Sequence, residues 1–124
     1  MYEYKAKIID VYDGDTFTFE VFVGFDVTIR SKMRLYGINT PEVRGVEKEY
    51  GKEVRDYVKS LIEDKEVTIK VYKKGKFGRY VAEVWFDKDG VGEDKNNLTE
   101  HLLETGKGKE FMKNESKTTN EILK

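Results

Sequence analysis

The stretch IIDVYDGDTFTFEVFVGFDVTIRSKMRL, residues 8–35, alternates apolar and polar side chains along most of its length. A period of two is typical of strands with one buried face, because successive side chains of a strand point to opposite sides. The pair Asp13–Gly14 and the single Gly24 interrupt the alternation and are residues that tight turns prefer. We therefore predict three antiparallel strands joined by two hairpins, with Gly14 accepting a positive φ in the first turn.

The alternation also assigns an apolar face to each strand. In the first strand, Ile9 and Val11 share this face. The faces of the next two strands comprise Phe17, Phe19, Val21 and Val23, and then Phe25, Val27, Ile29, Met33 and Leu35. We expect these faces to line the core.

The second half of the chain first shows the period of a helix. Its apolar stripe consists of Val54, Tyr57, Val58, Leu61 and Ile62. Two further strands are predicted near 67–71 and 80–86, with a glycine-containing turn between them. Asn97, followed three residues later by Glu100, is a capping box that begins a short helix, and Gly106 ends it.

Three strands, a helix, two strands and a second helix are the connectivity of the five-stranded OB fold. We predict an α+β, mainly β domain, in which a barrel has one helix between strands 3 and 4 and a short helix after strand 5. The 124 residues are enough for one core. We assign residues 1–110 to this domain and residues 111–124 to a C-terminal tail or partial helix.

Composition excludes several classes of protein. The chain has no cysteine, which rules out a disulfide framework, a thiolate zinc site and a cysteine nucleophile. No apolar run approaches the roughly 18 residues that a membrane span needs, and the start lacks the apolar stretch of a leader. We expect a cytoplasmic monomer with no membrane partner, although a secreted form whose leader has been removed would have the same sequence.

The net charge of −1 hides an uneven distribution of charged residues. Residues 65–80 carry a net charge of +5, whereas residues 83–100 carry −4. A local basic segment attracts phosphate even when the whole molecule is nearly neutral. Charge alone therefore leaves a nucleic-acid partner open.

Polar residues gather where the predicted meander leaves its sheet. Asp15 follows the first turn, Arg34 ends the third strand, and Asn39, Thr40 and Glu42 come directly after it. In an up-down-up meander the first turn and the end of the third strand lie at the same end of the sheet. The oxygen atoms of Asp15, Asn39, the Thr40 carbonyl and Glu42 form a set that suits a hard cation such as Ca²⁺. Each motif alone has an ordinary explanation as a turn, but together they indicate a site.

Four motifs in order then identify a resemblance. They are DGDT at 13–16, RLYGINTPE at 34–42, GVEKEYGKE at 45–53 and KFGR at 76–79. Over residues from about 5 to 107, the chain resembles the staphylococcal nuclease (thermonuclease) domains. The resemblance implies an OB-barrel enzyme that uses Ca²⁺ to cleave DNA and RNA and leaves 5′-hydroxyl and 3′-phosphate ends.

The resemblance also implies a role for single residues. The metal ligands would be Asp15, Asn39 and the main-chain carbonyl of Thr40. The catalytic residues would be Arg34 and Arg79, which hold the phosphate, and Glu42, which activates the attacking water. Lys76 and Phe77 would contact the nucleotide. His101, the only histidine, is expected to face solvent or border the core and to take no part in catalysis.

Departures from the family pattern leave a second hypothesis open. Asn39 stands where the better-known members have a carboxylate, so Ca²⁺ should bind more weakly and Mg²⁺ or Mn²⁺ should compete better. Phe77 lacks the hydroxyl of the family's tyrosine. The leading hypothesis is a metal-dependent nuclease acting on DNA, with RNA as a second substrate, at low sequence specificity. The alternative is a catalytically weak or inactive OB-fold module that binds nucleic acid.

Overall fold

The computed structural model describes residues 2–72 and 80–110. Three of the predicted site residues, Lys76, Phe77 and Arg79, lie outside the described residues, as does the predicted tail at 111–124. The strands are β1 (Tyr2–Asp13), β2 (Thr16–Gly24), β3 (Val27–Leu35), β4 (Ile38–Asn39), β5 (Glu66–Tyr72), β6 (Val81–Phe86), β7 (Asn96–Asn97) and β8 (Lys109–Glu110). The helices are α1 (Lys48–Ile62), preceded by a 3-10 turn at Gly45–Glu47, and α2 (Leu98–Glu104).

The five long strands form a closed mixed barrel. Their order is β3-β2-β1-β5-β6, and all neighbouring pairs in this order are antiparallel. The barrel closes where β3 pairs in parallel with β6, through Arg34 with Val81 and Leu35 with Ala82. The predicted OB fold is confirmed, with α1 between the third and fourth barrel strands and α2 after the fifth.

The barrel is filled by the side chains that the alternation assigned to it. The largest fully buried residues of the strands include Ile8, Phe17, Phe19, Met33, Leu35, Ile69 and Phe86. Helix α1 buries Val54, Val58 and Ile62 against this core, as its stripe predicted. Among the described residues, no helix combines the length and apolar character needed to cross a membrane.

Strand β1 departs from strict alternation. Its pairing register with β2 shifts between Ile8 and Asp10, which marks a β-bulge. Because the bulge inserts one extra residue, Ile8 and Val11 are both buried while Ile9 is only half-buried. The prediction that Ile9 shares the core face with Val11 was therefore wrong.

The hairpin between β2 and β3 extends beyond the closed part of the barrel. Because β3 pairs with β6 only at its last two residues, the apolar face of its first half is left exposed by the described part of the chain. Phe25 is fully exposed and Ile29 is 52% exposed, although both were expected in the core. Met33 and Leu35, beside the closure, are buried as predicted.

Helix α2 begins and ends as its sequence predicts. The Asn97 side chain accepts a hydrogen bond from the Glu100 backbone N–H at 3.0 Å, which satisfies one free donor of the first turn. At the other end Gly106 has a φ of 72°, and the N–H groups of Gly106 and Lys107 donate to carbonyls of the last turn. The helix is thereby fixed against β6, to which β7 also pairs.

His101 borders the core between α2 and α1. Its Nε2 lies 2.6 Å from the Tyr57 hydroxyl, and its ring packs edge-on against Phe86. Burial, with a smaller contribution from Lys88, lowers the pKa of His101 below its ordinary value. The folded protein therefore prefers the neutral imidazole.

This preference predicts a sensitivity of stability to mild acid. As pH falls below about 6.5, the unfolded chain takes up a proton at His101 that the folded protein resists, so the free energy of unfolding falls. The expected result is that, between pH 7 and pH 5, the melting temperature of the parent falls relative to that of the His101→Gln variant, which cannot titrate at this position, because every other titrating group is present in both proteins. Parallel thermal melts of both proteins at each pH measure the difference. Equal slopes would contradict the assignment.

Candidate functional site at the barrel rim

The turn between β1 and β2 packs closely against two other elements. A β-carbon added at Gly14 would lie 2.7 Å from Thr40 Oγ1 and 2.8 Å from Val54 Cγ1 of α1. Gly14 is not among the described residues with positive φ. The expectation that the turn needs glycine for its φ was therefore wrong, and close approach is the reason instead. Without a side chain at this position, the turn can lie directly on the Thr40 loop.

Asp15 connects the first turn to that loop. The residue is 3% exposed, and its side-chain Oδ2 accepts a hydrogen bond from the Thr40 backbone N–H at 2.9 Å. Its Oδ1 accepts from the Thr16 hydroxyl at 3.2 Å. In the backbone, the Leu35 N–H donates to the Asp15 carbonyl at 2.7 Å. The first turn and the end of β3 therefore meet at one end of the barrel, as the meander predicted.

Arg34 brings its guanidinium to the same place. Its Nη2 donates to the Ile38 carbonyl at 3.0 Å and to Asn39 Oδ1 at 3.1 Å, and lies 3.5 Å from Asp15 Oδ2. The side chain remains 23% exposed. A planar cation held between a carboxylate and an amide, and open to solvent, is placed to receive a phosphate oxygen.

Asp13 belongs to the site although the sequence analysis treated it only as a turn residue. Its Oδ1 accepts a hydrogen bond from the Asp15 backbone N–H at 3.1 Å. Burial, reinforced by the side chain and charge of Asp15, raises the pKa of Asp13 to about 7. The spacing of two aspartates across one turn glycine was the available signal for this pair. Two crowded carboxylates indicate that the rim needs positive charge.

The donor set at the rim fits a hard divalent cation. Within residues 2–72 and 80–110, no three histidine, cysteine or carboxylate side chains converge on one point, so a cation would also need neutral oxygens. Such an oxygen exists, since Thr40 Oγ1 is buried without a hydrogen-bond partner in the described part of the chain. Together with the carboxylates of Asp13 and Asp15, it is the type of ligand that Ca²⁺ or Mg²⁺ binds. Asn39 differs, because its Oδ1 is already held by Arg34.

Glu42 lies two residues beyond Thr40 on the exposed part of the loop. Among the described residues its carboxylate makes no hydrogen bond or ion pair, so it is available to a ligand or to water. Its main chain is fixed from behind by α1, where a β-carbon at Gly51 would lie 1.9 Å from the Glu42 carbonyl oxygen. The loop can approach the helix so closely only because residue 51 is glycine.

The structure thus brings together Asp15, Arg34, Asn39 and Thr40 through direct contacts, with Glu42 on the same loop. The predicted roles of Arg79, Lys76 and Phe77 fall outside the described residues and stay predictions.

Comparison with known proteins bears on this rim. Residues 32–124 match the family described as staphylococcal nuclease homologue. Two curated proteins, one from Escherichia coli O157:H7 and one from Escherichia coli, are each 29% identical to this chain over 101 residues, and both are named uncharacterized endonuclease. The aligned part covers 82% of this chain and 57% of each relative, so the chain spans little more than half the length of these relatives.

Proposed function

The chain belongs to the staphylococcal nuclease family, and from that premise we propose that it is a divalent-cation-dependent nuclease. Its substrate is DNA, with RNA as a second substrate, and it has little sequence preference. The products carry 3′-phosphate and 5′-hydroxyl ends. The observation that carries the proposal is the convergence of Arg34 and Thr40 on Asp15, whose Oδ2 lies 3.5 Å from Arg34 Nη2 and 2.9 Å from the Thr40 nitrogen.

Arg34 is proposed to bind the scissile phosphate. Its Ile38 and Asn39 contacts orient the guanidinium before any substrate arrives, so little reorganisation accompanies binding. A phosphodiester gains negative charge on its non-bridging oxygens as a nucleophile attacks, and a fixed guanidinium stabilises that charge. Arg79, from the basic segment, would supply the second guanidinium in this proposal.

Glu42 is proposed as the general base. An exposed carboxylate without a partner in the described chain can accept a proton from a water molecule beside the phosphate. The water oxygen then forms a bond to phosphorus, the bond to the 5′-oxygen breaks, and that oxygen takes up a proton. Water thereby contributes the new oxygen of the 3′-phosphate, and no covalent intermediate with the protein forms.

A divalent cation is proposed to be held by Asp15 and the oxygens of Thr40, with Asp13 beside them. When bound, it supplies positive charge that offsets the charge growing on the phosphate. Ca²⁺ is the first choice. Mg²⁺ and Mn²⁺ are alternatives, because the Asn39 amide is already bonded to Arg34 and few charged ligands remain for a large cation. The two carboxylates keep the cation close to Arg34 and therefore close to the phosphate.

The second candidate is a nucleic-acid-binding module without catalysis. The specific observation in its favour is that the Asn39 side chain is uncharged and that its Oδ1 accepts a hydrogen bond from Arg34 instead of facing a cation position. On this alternative, the rim binds phosphate but lacks the cation that the reaction requires.

Incubation with a fluorescent single-stranded oligonucleotide separates the two candidates. The expected result is cleavage in Ca²⁺, Mg²⁺ or Mn²⁺ that stops when a chelator is added in excess, because without a bound cation the carboxylates at the rim repel the phosphate. End analysis should find 3′-phosphate on the products. Binding without cleavage in all three ions would overturn the nuclease proposal and support the binding module.

A further inference from the structure

A groove runs from the rim between the start of α1 and the segment after α2. It has a volume of about 190 Å³ and begins at the Asn39–Pro41 loop. The remaining lining residues come from the start of α1 and from the segment after α2, and they are Glu47, Tyr50, Gly106, Lys107, Gly108 and Lys109. The Tyr50 hydroxyl donates to the Gly106 carbonyl at 3.2 Å, which joins the two walls. The groove is thus a built feature that opens directly beside the proposed phosphate position.

Lys109 lies directly across from Asn39 in the groove. Strands β4 and β8 form a two-stranded antiparallel ribbon in which Asn39 pairs with Lys109. Side chains of such a pair share one face, with β-carbons about 5 Å apart. Ile38, the neighbour of Asn39, is buried on the other face, and both Asn39 and Lys109 are exposed. Lys109 is therefore on the same side as the Arg34 contact of Asn39.

The hydrogen bond between Arg34 and Asn39 sets the polarity of the amide. Since Asn39 Oδ1 accepts from the Arg34 Nη2, the Nδ2 group of the same amide remains as a donor. Donors attract anions and repel cations. A carboxylate at this position would instead repel an anion.

Of the two lysines that line the groove in the described part of the chain, Lys109 is better placed to bind an anion. The ammonium of Lys107 lies 4.7 Å from the centre of the Tyr57 ring, so Lys107 contributes mainly its aliphatic stem. Lys109 has no ion-pair partner within 4 Å in the part of the chain that the structure describes. Glu47, from the turn before α1, repels anions on its side of the groove, whereas Lys109 attracts them.

The geometry points to an anion subsite formed by Lys109 and the Asn39 amide, which binds the phosphodiester next to the scissile one in a polynucleotide. This inference rests on the proposed function, because the scissile phosphate at Arg34 fixes the register of the chain. It assigns Asn39 to phosphate binding, in contrast to the metal-ligand role predicted from the sequence. The carboxylate of the better-known relatives would then have been exchanged for a donor that extends the substrate contact.

Salt dependence of binding tests the subsite without relying on cleavage. A 12-residue single-stranded oligonucleotide is titrated in chelator, and fluorescence anisotropy gives the affinity at several salt concentrations. Removing one phosphate contact with a single strand reduces the magnitude of the negative slope of log K against log salt by about 0.7. Between 1 M and 0.1 M salt, the variant should therefore gain about five-fold less affinity than the parent. We expect this change in Lys109→Met, whereas Lys109→Arg, which keeps the charge, should behave as the parent.

Lys88→Met is the matched control. Lys88 is also exposed, and it follows the end of β6 that lies away from Val81, the residue that pairs with Arg34 at the barrel closure. Its slope should stay at the parental value. If Lys109→Met binds with the parental slope and affinity, the subsite is overturned while the nuclease proposal stands. If Lys109→Met reduces the slope as predicted but the parent cleaves in no divalent ion, the nuclease proposal fails and the subsite stands.

Discussion

Replacing Glu42 by glutamine is expected to lower kcat on a single-stranded oligonucleotide by about 100- to 10,000-fold, the range that a general base contributes. Glutamine has nearly the same shape as glutamate but cannot accept a proton at neutral pH. Because the Glu42 side chain is exposed and has no polar partner among the described residues, the fold should not change. Oligonucleotide affinity in chelator should therefore stay within about two-fold of the parent, since no phosphate contact is removed.

The measurement is single-turnover cleavage of the same oligonucleotide by both proteins at neutral pH. Glu49→Gln, an exposed carboxylate in the first turn of α1, is the control and should retain full activity. A Glu42→Gln protein as fast as the parent would remove Glu42 from the role of base.

The fold could be predicted from the sequence because the spacing of apolar residues differs between strands and helices. Alternation in β2 and the stripe of α1 both reflect a face that is either buried or exposed, and Asn97 caps its helix through contacts only three residues apart. The bulge at Ile9 was missed because one inserted residue leaves composition unchanged while it reverses the alternation that follows. The exposure of Ile29 was missed because it depends on where β3 meets β6.

The candidate site was predictable where a motif and a strand end coincide. Asp15 and Arg34 could be placed at one rim from the topology of the meander alone. Asp13 could be placed beside Asp15 from their spacing, but its raised pKa depends on burial that the spacing does not reveal. Lys109 could not be placed, since its position depends on a ribbon of two residues per strand. Strands that short carry no periodic signal, so the neighbour of Asn39 becomes visible only in three dimensions.

Gly51→Ala is the second change expected to have a large effect, and local and tertiary contributions act on it in opposite directions. Within a helix, alanine is favoured over glycine by about 1 kcal/mol. At this position, however, the new β-carbon would lie 1.9 Å from the Glu42 carbonyl oxygen, 2.4 Å from its carbonyl carbon and 2.9 Å from the Val43 nitrogen. All three atoms belong to the backbone, so no side-chain rotation relieves the clash.

The loop or the helix must therefore move by more than 1 Å. Overpacking of this kind destabilises a protein by about 1–3 kcal/mol, which exceeds the gain in helix propensity. A displacement of about 1 Å at a catalytic group lowers the rate by roughly 100-fold. We expect Gly51→Ala to lower both the melting temperature and kcat, whereas Lys52→Ala, on the exposed face of the same turn, should change neither.

Combining this change with the loss of the base tests whether Gly51 acts by positioning Glu42. If the displaced loop slows the reaction because Glu42 no longer reaches the attacking water, Gly51→Ala should have little further effect on kcat in a Glu42→Gln background. The decrease in melting temperature should persist in that background, because the atoms that the new β-carbon meets all belong to the backbone and are unchanged in Glu42→Gln. Two rate effects that multiply would instead show that Gly51→Ala disturbs the rim as a whole, including Asp15 and Thr40, and that the contact with Glu42 is structural.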